Sequence, residues 1–594
     1  MKDPFARWGL LALLLWLCTA SFQFQHAPPL LDDVDESEYI QSLSTPGALL
    51  RCDCYGLFRP MKNLMFYGVM HLTPDTPEVR HGLSVGLYLV VVVLSFVLFR
   101  RLLSNERWAL TATAIYALAP PQWAVVAWFS TINILMMVAG CWLALWAYDQ
   151  ARMQSQQRPR TAAGWLLAAG AAYLLALFSY EGAVVLPALL MLWDGCRQRA
   201  IWTRRSLRLY AAFGVITVAY LALRAVVHGQ VQATGENIQP TVTPLQLSAA
   251  SGWFIWDHLS YWLWPVGRQS FCGSFRWAPS EIWQRVLPGW LALGSLALLA
   301  WQVRRRLPEV AWGGAWFFVA FLPTSNLLPL RNGPFAEYYL AVPSLGLALA
   351  VAALLRVAVM RARTALTPSW RGLWGGVAGL LLLWQVAAAV EGWDWAWAWH
   401  SAEEIFARNI RARPEAFASA VNLARLYMLC GHLDAAEQLV QRARAQAPWA
   451  TQPWLVLGDL RLRQKREHEA LQCFEQAARL RPGDAYPHLA MAYLFESLPT
   501  GEQRAEDEYR KVLQFRWTGY SITASLNLSC LLATRGQAEA AIQVVEQALQ
   551  KAPTSTKLHY NAALAYKQKG DLAAATRHFQ AYQELQRHET SSRK

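Results

Sequence analysis

The sequence predicts an all-α protein in two parts: a polytopic helical membrane domain of about eleven spans, followed by an α-solenoid of short helical repeats. Three observations lead there. The 594 residues are 55% hydrophobic and 16% charged, with 30 Trp, whereas a soluble globular chain carries roughly a quarter of its residues as charges. Up to about residue 390 the chain is a series of apolar stretches joined largely by basic loops. Beyond that point it turns polar, helix-forming and periodic.

Taken in order, the candidate spans are 8–24, 84–99, 108–126, 131–148, 163–179, 181–194, 209–226, 286–303, 310–327, 338–355 and 373–390, most of them near the ~20 apolar residues a bilayer requires. The first follows Lys2 and Arg7 and reads as a retained span rather than a secretory signal, because its apolar stretch is long and no clear small-residue cleavage site precedes the acidic residues beyond it. Residues 163–194 can also form a tight helical hairpin. Trp253 to Trp264 is apolar as well, but it contains Asp257, His258 and Tyr261 among large aromatics, which suits a helix lying at headgroup level.

Charge orients the spans. Lys2, Arg7, Arg100, Arg101, Arg107, Arg152, Arg197, Arg199, Arg204, Arg205, Arg304 to Arg306 and Arg356 crowd the short loops of one face, while the longer loops of the other carry fewer cations. The positive-inside rule then makes the N-terminus cytoplasmic and puts the first external loop, about 25–83, on the exoplasmic side with the C-terminal domain. The net charge of +14 is thereby topological; with no basic patch interleaved with aromatics, nucleic acid is not expected as a partner. Nine Cys show no metal spacing, and any pairing among Cys52, Cys54 and Cys272 is left open.

Residues 393–414 read as a linker and capping helix, with Trp393, Trp395, Trp397 and Trp399 as an interfacial anchor. From there Pro414, Pro448 and Pro482 recur at 34 residues, and Gly536 and Gly570 repeat the interval. A 34-residue period punctuated as helix-turn-helix is the tetratricopeptide signature. Residues 415–587 hold about five such repeats, the third irregular around Leu498-Pro499-Thr500-Gly501, and 588–594 form a polar tail. Such arrays present a concave surface to an extended peptide or protein. Asn422, Asn527 and Asn561 would line the inner helices, where an amide can grip a peptide backbone; a local bond within each repeat is the equal alternative.

Just past the first span sits Asp32-Asp33-Val34-Asp35-Glu36. Such a run is either a solvated acidic loop or the source of a general base, because neighbouring carboxylates and partial burial both raise a pKa. Glu181 lies inside an apolar stretch, where an ionisable group is costly and marks function by default. Glu337 stands at a span entrance, a cheaper position. His71 and His81 read as satisfied polar residues at the membrane edge.

Several motifs follow in order: Asp32-Asp33; Phe58-Arg59-Pro60-Met61; Ala119-Pro120-Pro121 with Val126-Ala127-Trp128-Phe129-Ser130; Leu177-Phe178-Ser179-Tyr180-Glu181 with Leu186-Pro187; Phe321-Leu322-Pro323-Thr324-Ser325-Asn326; and Ala336-Glu337-Tyr338-Tyr339-Leu340 with Pro343-Ser344. Together with the repeats, this layout resembles GT-C glycosyltransferases, and within them the transmembrane and tetratricopeptide-repeat O-mannosyltransferase family with its bacterial relatives.

The resemblance implies a GT-C-like membrane domain over 1–392 and transfer of a sugar from a polyprenyl-phosphate donor to a protein or envelope acceptor at the exoplasmic surface. It implies residence in the inner membrane of a bacterium. Asp32 or Asp33 would be the general base, and Asp35 and Glu36 bystanders or part of a divalent-cation site. Arg59, then Arg331, and less strongly Lys62, would face the leaving phosphate, with Glu181 and Glu337 also in the substrate-binding region. For Arg59 the competing reading is an interfacial anchor. The chain also departs from its relatives: Ala119, Ala124, Ile132, Tyr180 and Tyr338 replace polar or charged residues. A non-catalytic membrane-anchored scaffold for protein interaction is therefore the alternative, and a transporter, lacking repeated halves, comes third.

Overall fold

The computed structural model describes residues 3–27, 29–30, 32–42, 46–50, 52–53, 57–103, 105–228, 236–268, 272–328, 333–515 and 517–591. Among the described residues the chain is all-α, with one isolated bridge between Ile238 and Phe275 and no strand. It divides into two compact units. One comprises Met1–Asp33, Phe58–Lys62 and Pro74–Ala416; the other comprises Val34–Leu57, Asn63–Thr73 and Phe417–Lys594.

Proline opens most helices of the first unit, because its missing N–H belongs to the unpaired first turn and its φ is preset for a helix. Pro4–Ser21, Pro77–Leu102, Pro159–Ser179, Pro343–Thr364 and Pro368–Ala398 all begin this way. Among the described residues eight helices are long and apolar enough to cross a membrane. The other three expected spans are helical but shorter or broken. Residues 108–126 are split at Ala119-Pro120-Pro121 into Glu106–Ala117 and Pro121–Ala127. Residues 181–194 become a 3-10 turn, Glu181–Val185, running into Leu186–Cys196. The helix begun at Pro308 ends at Phe321. A 12-residue helix reaches about 18 Å, well short of a ~30 Å hydrocarbon core.

The stretch Phe129–Gln154 is the centre of this unit, with 89% of its apolar window buried. It packs along Pro159–Ser179 and Pro77–Leu102, and Trp142 Nε1 donates to Ser95 Oγ at 2.9 Å. Outer helices keep large apolar side chains exposed, among them Val215, Val218, Leu380 and Leu383. The aromatic 253–264 stretch belongs to helix Pro244–Leu263, started by a capping box between Thr243 and Gln246.

The expected boundary at 392–393 is displaced. Helix Pro368–Ala398 runs straight through the tryptophans, and helix Ala402–Ala412 belongs to the first unit, which ends at Ala416. Packing explains this, since Trp395 and Trp399 are buried while only Trp393 and Trp397 stay exposed.

In the second unit, five helix pairs follow the 34-residue period: Phe417–Leu429 with Leu433–Gln446, Gln452–Arg463 with Glu467–Leu480, Ala485–Glu496 with Glu502–Gln514, Gly519–Thr534 with Ala538–Lys551, and Thr556–Lys569 with Leu572–Ser591. Small residues at matching positions, Ala436, Ala470, Ala505 and Ala541, are fully buried where the paired helices meet. The irregular third pair has a longer turn, Ser497–Gly501, than its neighbours.

Candidate functional site

The break at Ala119-Pro120-Pro121 and the 3-10 turn Phe129–Thr131 place Ser130 at the head of the central helix. Asp33 meets it there. Its Oδ1 accepts from Ser130 N at 2.7 Å and Ser130 Oγ at 2.6 Å, and its Oδ2 accepts from Leu30 N at 3.1 Å. Asp33 is 4% exposed. Burial raises its pKa above the ordinary aspartate value, against the pull of the Ser130 and Leu30 donors and of the Arg80 charge. Arg80 is itself clamped by Asp75, at 2.7 and 2.9 Å, and lies over the Phe129 ring.

Asp32, which opens the helix Asp32–Ser42, is half-buried. Its charge acts on Tyr338: burial pushes that phenol up to about 12, Arg59 pulls it down and Asp32 pushes it up. The side chain of Asp35 lies outside the described residues, and Glu36 is buried.

Arg59 is held by Glu181 in a two-point pair, Nε to Oε2 at 3.0 Å and Nη2 to Oε1 at 2.8 Å. Its guanidinium also lies 4.6 Å from the centre of the Tyr180 ring. Arg224, inside the apolar helix Arg204–His228, comes within 3.8 Å of the same Glu181 carboxylate. Phe58, Phe178 and Tyr220 form an aromatic cluster beside them. One carboxylate thus orients two cations.

Glu337 is placed differently from the expectation of a substrate contact. It is fully buried, accepting from Tyr261 Oη at 2.8 Å and from Trp395 Nε1 at 2.9 Å. Burial raises its pKa to about 8, only partly offset by those two donors and by Arg413. It pins helices together through a carboxyl group, while its neighbour Tyr338 packs against Trp128 and Tyr339. Lys62 is buried in the first turn of helix Pro60–Leu72. Arg331 and Cys54 lie outside the described residues.

Among the described residues no group of three or more His, Cys, Asp or Glu side chains is arranged to hold a metal ion. Ala124 and Ile132 are completely buried, Tyr180 receives Arg59, and Tyr338 lies edge-on to Trp128, so each of these apolar or aromatic positions is packed.

In the array, Asn527 Nδ2 donates to Tyr509 Oη at 3.2 Å, and Asn561 Nδ2 donates to Leu526 O at 3.1 Å and Ser529 Oγ at 3.0 Å. Both amides therefore bond to the preceding helix pair rather than within their own repeat. Asn422 is half-buried on Phe417–Leu429.

Sequence reading missed Arg80 as a neighbour of Asp33, and Arg224. For Arg224 a signal existed, since a cation inside an apolar helix is as costly as the carboxylate at 181.

Residues 451–484 and 556–589 match the family described as tetratricopeptide repeat. No curated protein matches the chain. Among solved structures the chain is similar to MamA from Desulfovibrio magneticus RS-1, at 17% identity over 29% of this chain and 95% of that one, with a TM-score of 0.25. It is similar to YrrB, described as a TPR protein with an unusual peptide-binding site, at 17% identity over 32% of this chain and 96% of that one, TM-score 0.26. A third is PilW, described as a widely conserved type IV pilus biogenesis factor, at 21% identity over 28% and 77%, TM-score 0.25. The two family matches fall on the second and fifth helix pairs, and the C-terminal array is built of tetratricopeptide repeats.

Proposed function

We propose that this chain is a membrane-embedded glycosyltransferase that moves a sugar from a polyprenyl-phosphate donor to a hydroxyl of a protein or envelope acceptor, with the tetratricopeptide repeats holding the acceptor as an extended peptide. The apolar side chains left exposed on the outer helices support a bilayer setting. The observation that carries the reaction is the Glu181 carboxylate, which holds Arg59 at two points beside the Tyr180 ring and has Arg224 within 3.8 Å. The charge distribution of the loops favours an exoplasmic site in a bacterial inner membrane.

Asp32 is the base. Asp33 is buried and its oxygens are engaged by Ser130 and Leu30, so it acts as a positioning residue for the loop, whereas Asp32 is only half-buried. Asp32 removes the acceptor proton, the acceptor oxygen bonds to the anomeric carbon, and the bond from that carbon to the donor phosphate breaks, the phosphate leaving with the electron pair. Arg59 and Arg224, oriented by Glu181, are the cations suited to that phosphate.

A second reading, a non-catalytic scaffold that presents the repeats, is favoured by the packed apolar residues at positions where relatives carry polar groups. One experiment separates the two: glycans of secreted and envelope proteins are compared in a deletion strain complemented with wild type, Asp32→Asn or Asp33→Asn. Asp32→Asn should reduce transfer by a factor of about 100 or more at unchanged protein level, while Asp33→Asn, which still accepts from Ser130, should reduce it far less. A glycan profile unchanged by the deletion itself rejects the transferase and leaves the scaffold.

A further inference from the structure

The loops expected on the cytoplasmic face close on a second charged cluster that the proposed reaction does not use. Asp149, near the end of helix Ile132–Gln154, and Asp194, in the last turn of Leu186–Cys196, are both 0% exposed. Arg199 bridges them, Nη2 to Asp149 Oδ1 at 2.7 Å and Nη1 to Asp194 Oδ1 at 3.0 Å. Arg152 Nη1 lies 3.2 Å from Asp194 Oδ2, and the Nε atoms of Arg101 and Arg197 each lie 3.7 Å from an Asp149 oxygen. Tyr148 and Tyr210 donate to Asp194 at 2.6 and 2.8 Å, and Trp193 Nε1 donates to Asp149 at 3.1 Å. Four guanidinium groups therefore surround two carboxylates. The two carboxylates are fully buried, and the positive charge in excess around them, partly open to solvent at Arg101 and Arg197, favours an anion that completes it.

A place for that anion adjoins the cluster. An open polar cavity of about 360 Å³ is lined by Arg152, Ser155, Gln156, Arg199 and Arg205, with Met153 and Ala200. None of these lining residues is acidic. Arg152 and Arg199 are fixed by their carboxylate partners, while Arg205 is exposed at the rim and its Nη2 reaches Ser155 O at 3.5 Å. Ser155 Oγ already donates to Arg152 O at 2.9 Å, so the donors left for an anion are the two fixed guanidinium groups, Arg205 at the rim and the exposed Gln156 amide, a set that suits phosphate.

We infer that this cavity binds a phosphate-bearing anion, either the headgroup of an anionic lipid or free phosphate, which completes the charge of the Asp149–Asp194 cluster. Its place in the loops that join apolar helices suits a headgroup, as basic pockets on the cytoplasmic side do in general. The inference rests on the membrane reading and not on sugar transfer.

The test is thermal unfolding of the full chain in neutral detergent, followed by tryptophan fluorescence. It is titrated with phosphatidylglycerol, phosphatidylcholine or inorganic phosphate, for wild type, Arg205→Ala and Arg160→Ala, the last an exposed arginine outside the cavity. Phosphatidylglycerol should raise the unfolding temperature saturably and phosphatidylcholine should not. Arg205→Ala should raise the half-saturating concentration about tenfold, with Arg160→Ala unchanged. The same shift with millimolar inorganic phosphate identifies free phosphate as the ligand; a shift with the lipid alone identifies the headgroup. If neither anion stabilises more than phosphatidylcholine, or if Arg160→Ala weakens the effect as much as Arg205→Ala, the site does not exist.

Discussion

Two carboxylates of this chain end up in different roles, and the difference lies in what surrounds them: Glu337 is fully buried, whereas the Glu181 side chain stays 25% exposed. Glu181 meets Arg59 in a two-point pair and Arg224 beyond it, so its charge is compensated. Glu337 meets only neutral donors within hydrogen-bond distance, Tyr261 and Trp395, and its pKa rises from 4.5 to about 8. The folded state therefore holds that proton more tightly than the unfolded chain. Stability must fall as pH rises from about 4.5 to about 8 and stay level, as far as this group is concerned, on either side. Within that window the loss is about 1.4 kcal/mol per pH unit. Glu337→Gln, which mimics the protonated form, should match wild type near pH 5 and be the more stable protein at pH 8, as read by thermal unfolding in detergent. A Gln variant less stable than wild type at pH 8 would mean that the ionised form is the native one.

At the level of elements, helix pairs in the two units meet by different means. In the first unit, helices Pro308–Phe321 and Pro343–Thr364 approach through Gly313 and Gly346: a Cβ on Gly346 would fall 2.4 Å from Gly313 O and 2.8 Å from Trp316 Cβ. Backbones this close are the usual way apolar helices associate where no hydrophobic force drives them together. Gly346→Leu should cost about 1–3 kcal/mol by overpacking, seen as a lower unfolding temperature and lower yield from membranes; a variant as stable as wild type would contradict the contact. In the array, the turn inside the first, fourth and fifth repeats takes a left-handed residue, Gly431 at φ 82°, Gly536 at 76° and Gly570 at 90°. The second repeat puts Lys465 there at 59°. An L side chain in that region is strained by about 1 kcal/mol, so Lys465→Gly should stabilise the array by about 0.5–1 kcal/mol in urea titrations. No gain would show that the lysine side chain offsets the strain through contacts of its own.

At the scale of the whole molecule, the two compact units differ in their physical basis. The repeats form a core of small and aliphatic residues accessible to denaturant, whereas the first unit exposes apolar helices that detergent or lipid would cover. Urea should therefore unfold the array of the full chain in detergent at a concentration that leaves the apolar helices of the first unit intact, giving two transitions by circular dichroism. A single transition with complete loss of helix would overturn that independence. The array was legible before the structure because its contacts join helices close in sequence, so a 34-residue period of proline, glycine and small apolar residues is enough to specify helix, turn and pairing. The helical character of the first unit was legible for the same kind of reason, as long apolar runs have no other way to satisfy their backbone. The site was not. Arg59 and Glu181 are 122 residues apart, and Glu337 is 76 from Tyr261 and 58 from Trp395. From the sequence alone each of these is only an ionisable group near an apolar stretch. Which carboxylate is paired with arginine, which is left to hold a proton, and how Asp33 is fixed against Ser130 depend on the burial and the partners that long-range packing creates, and those the tertiary structure decided.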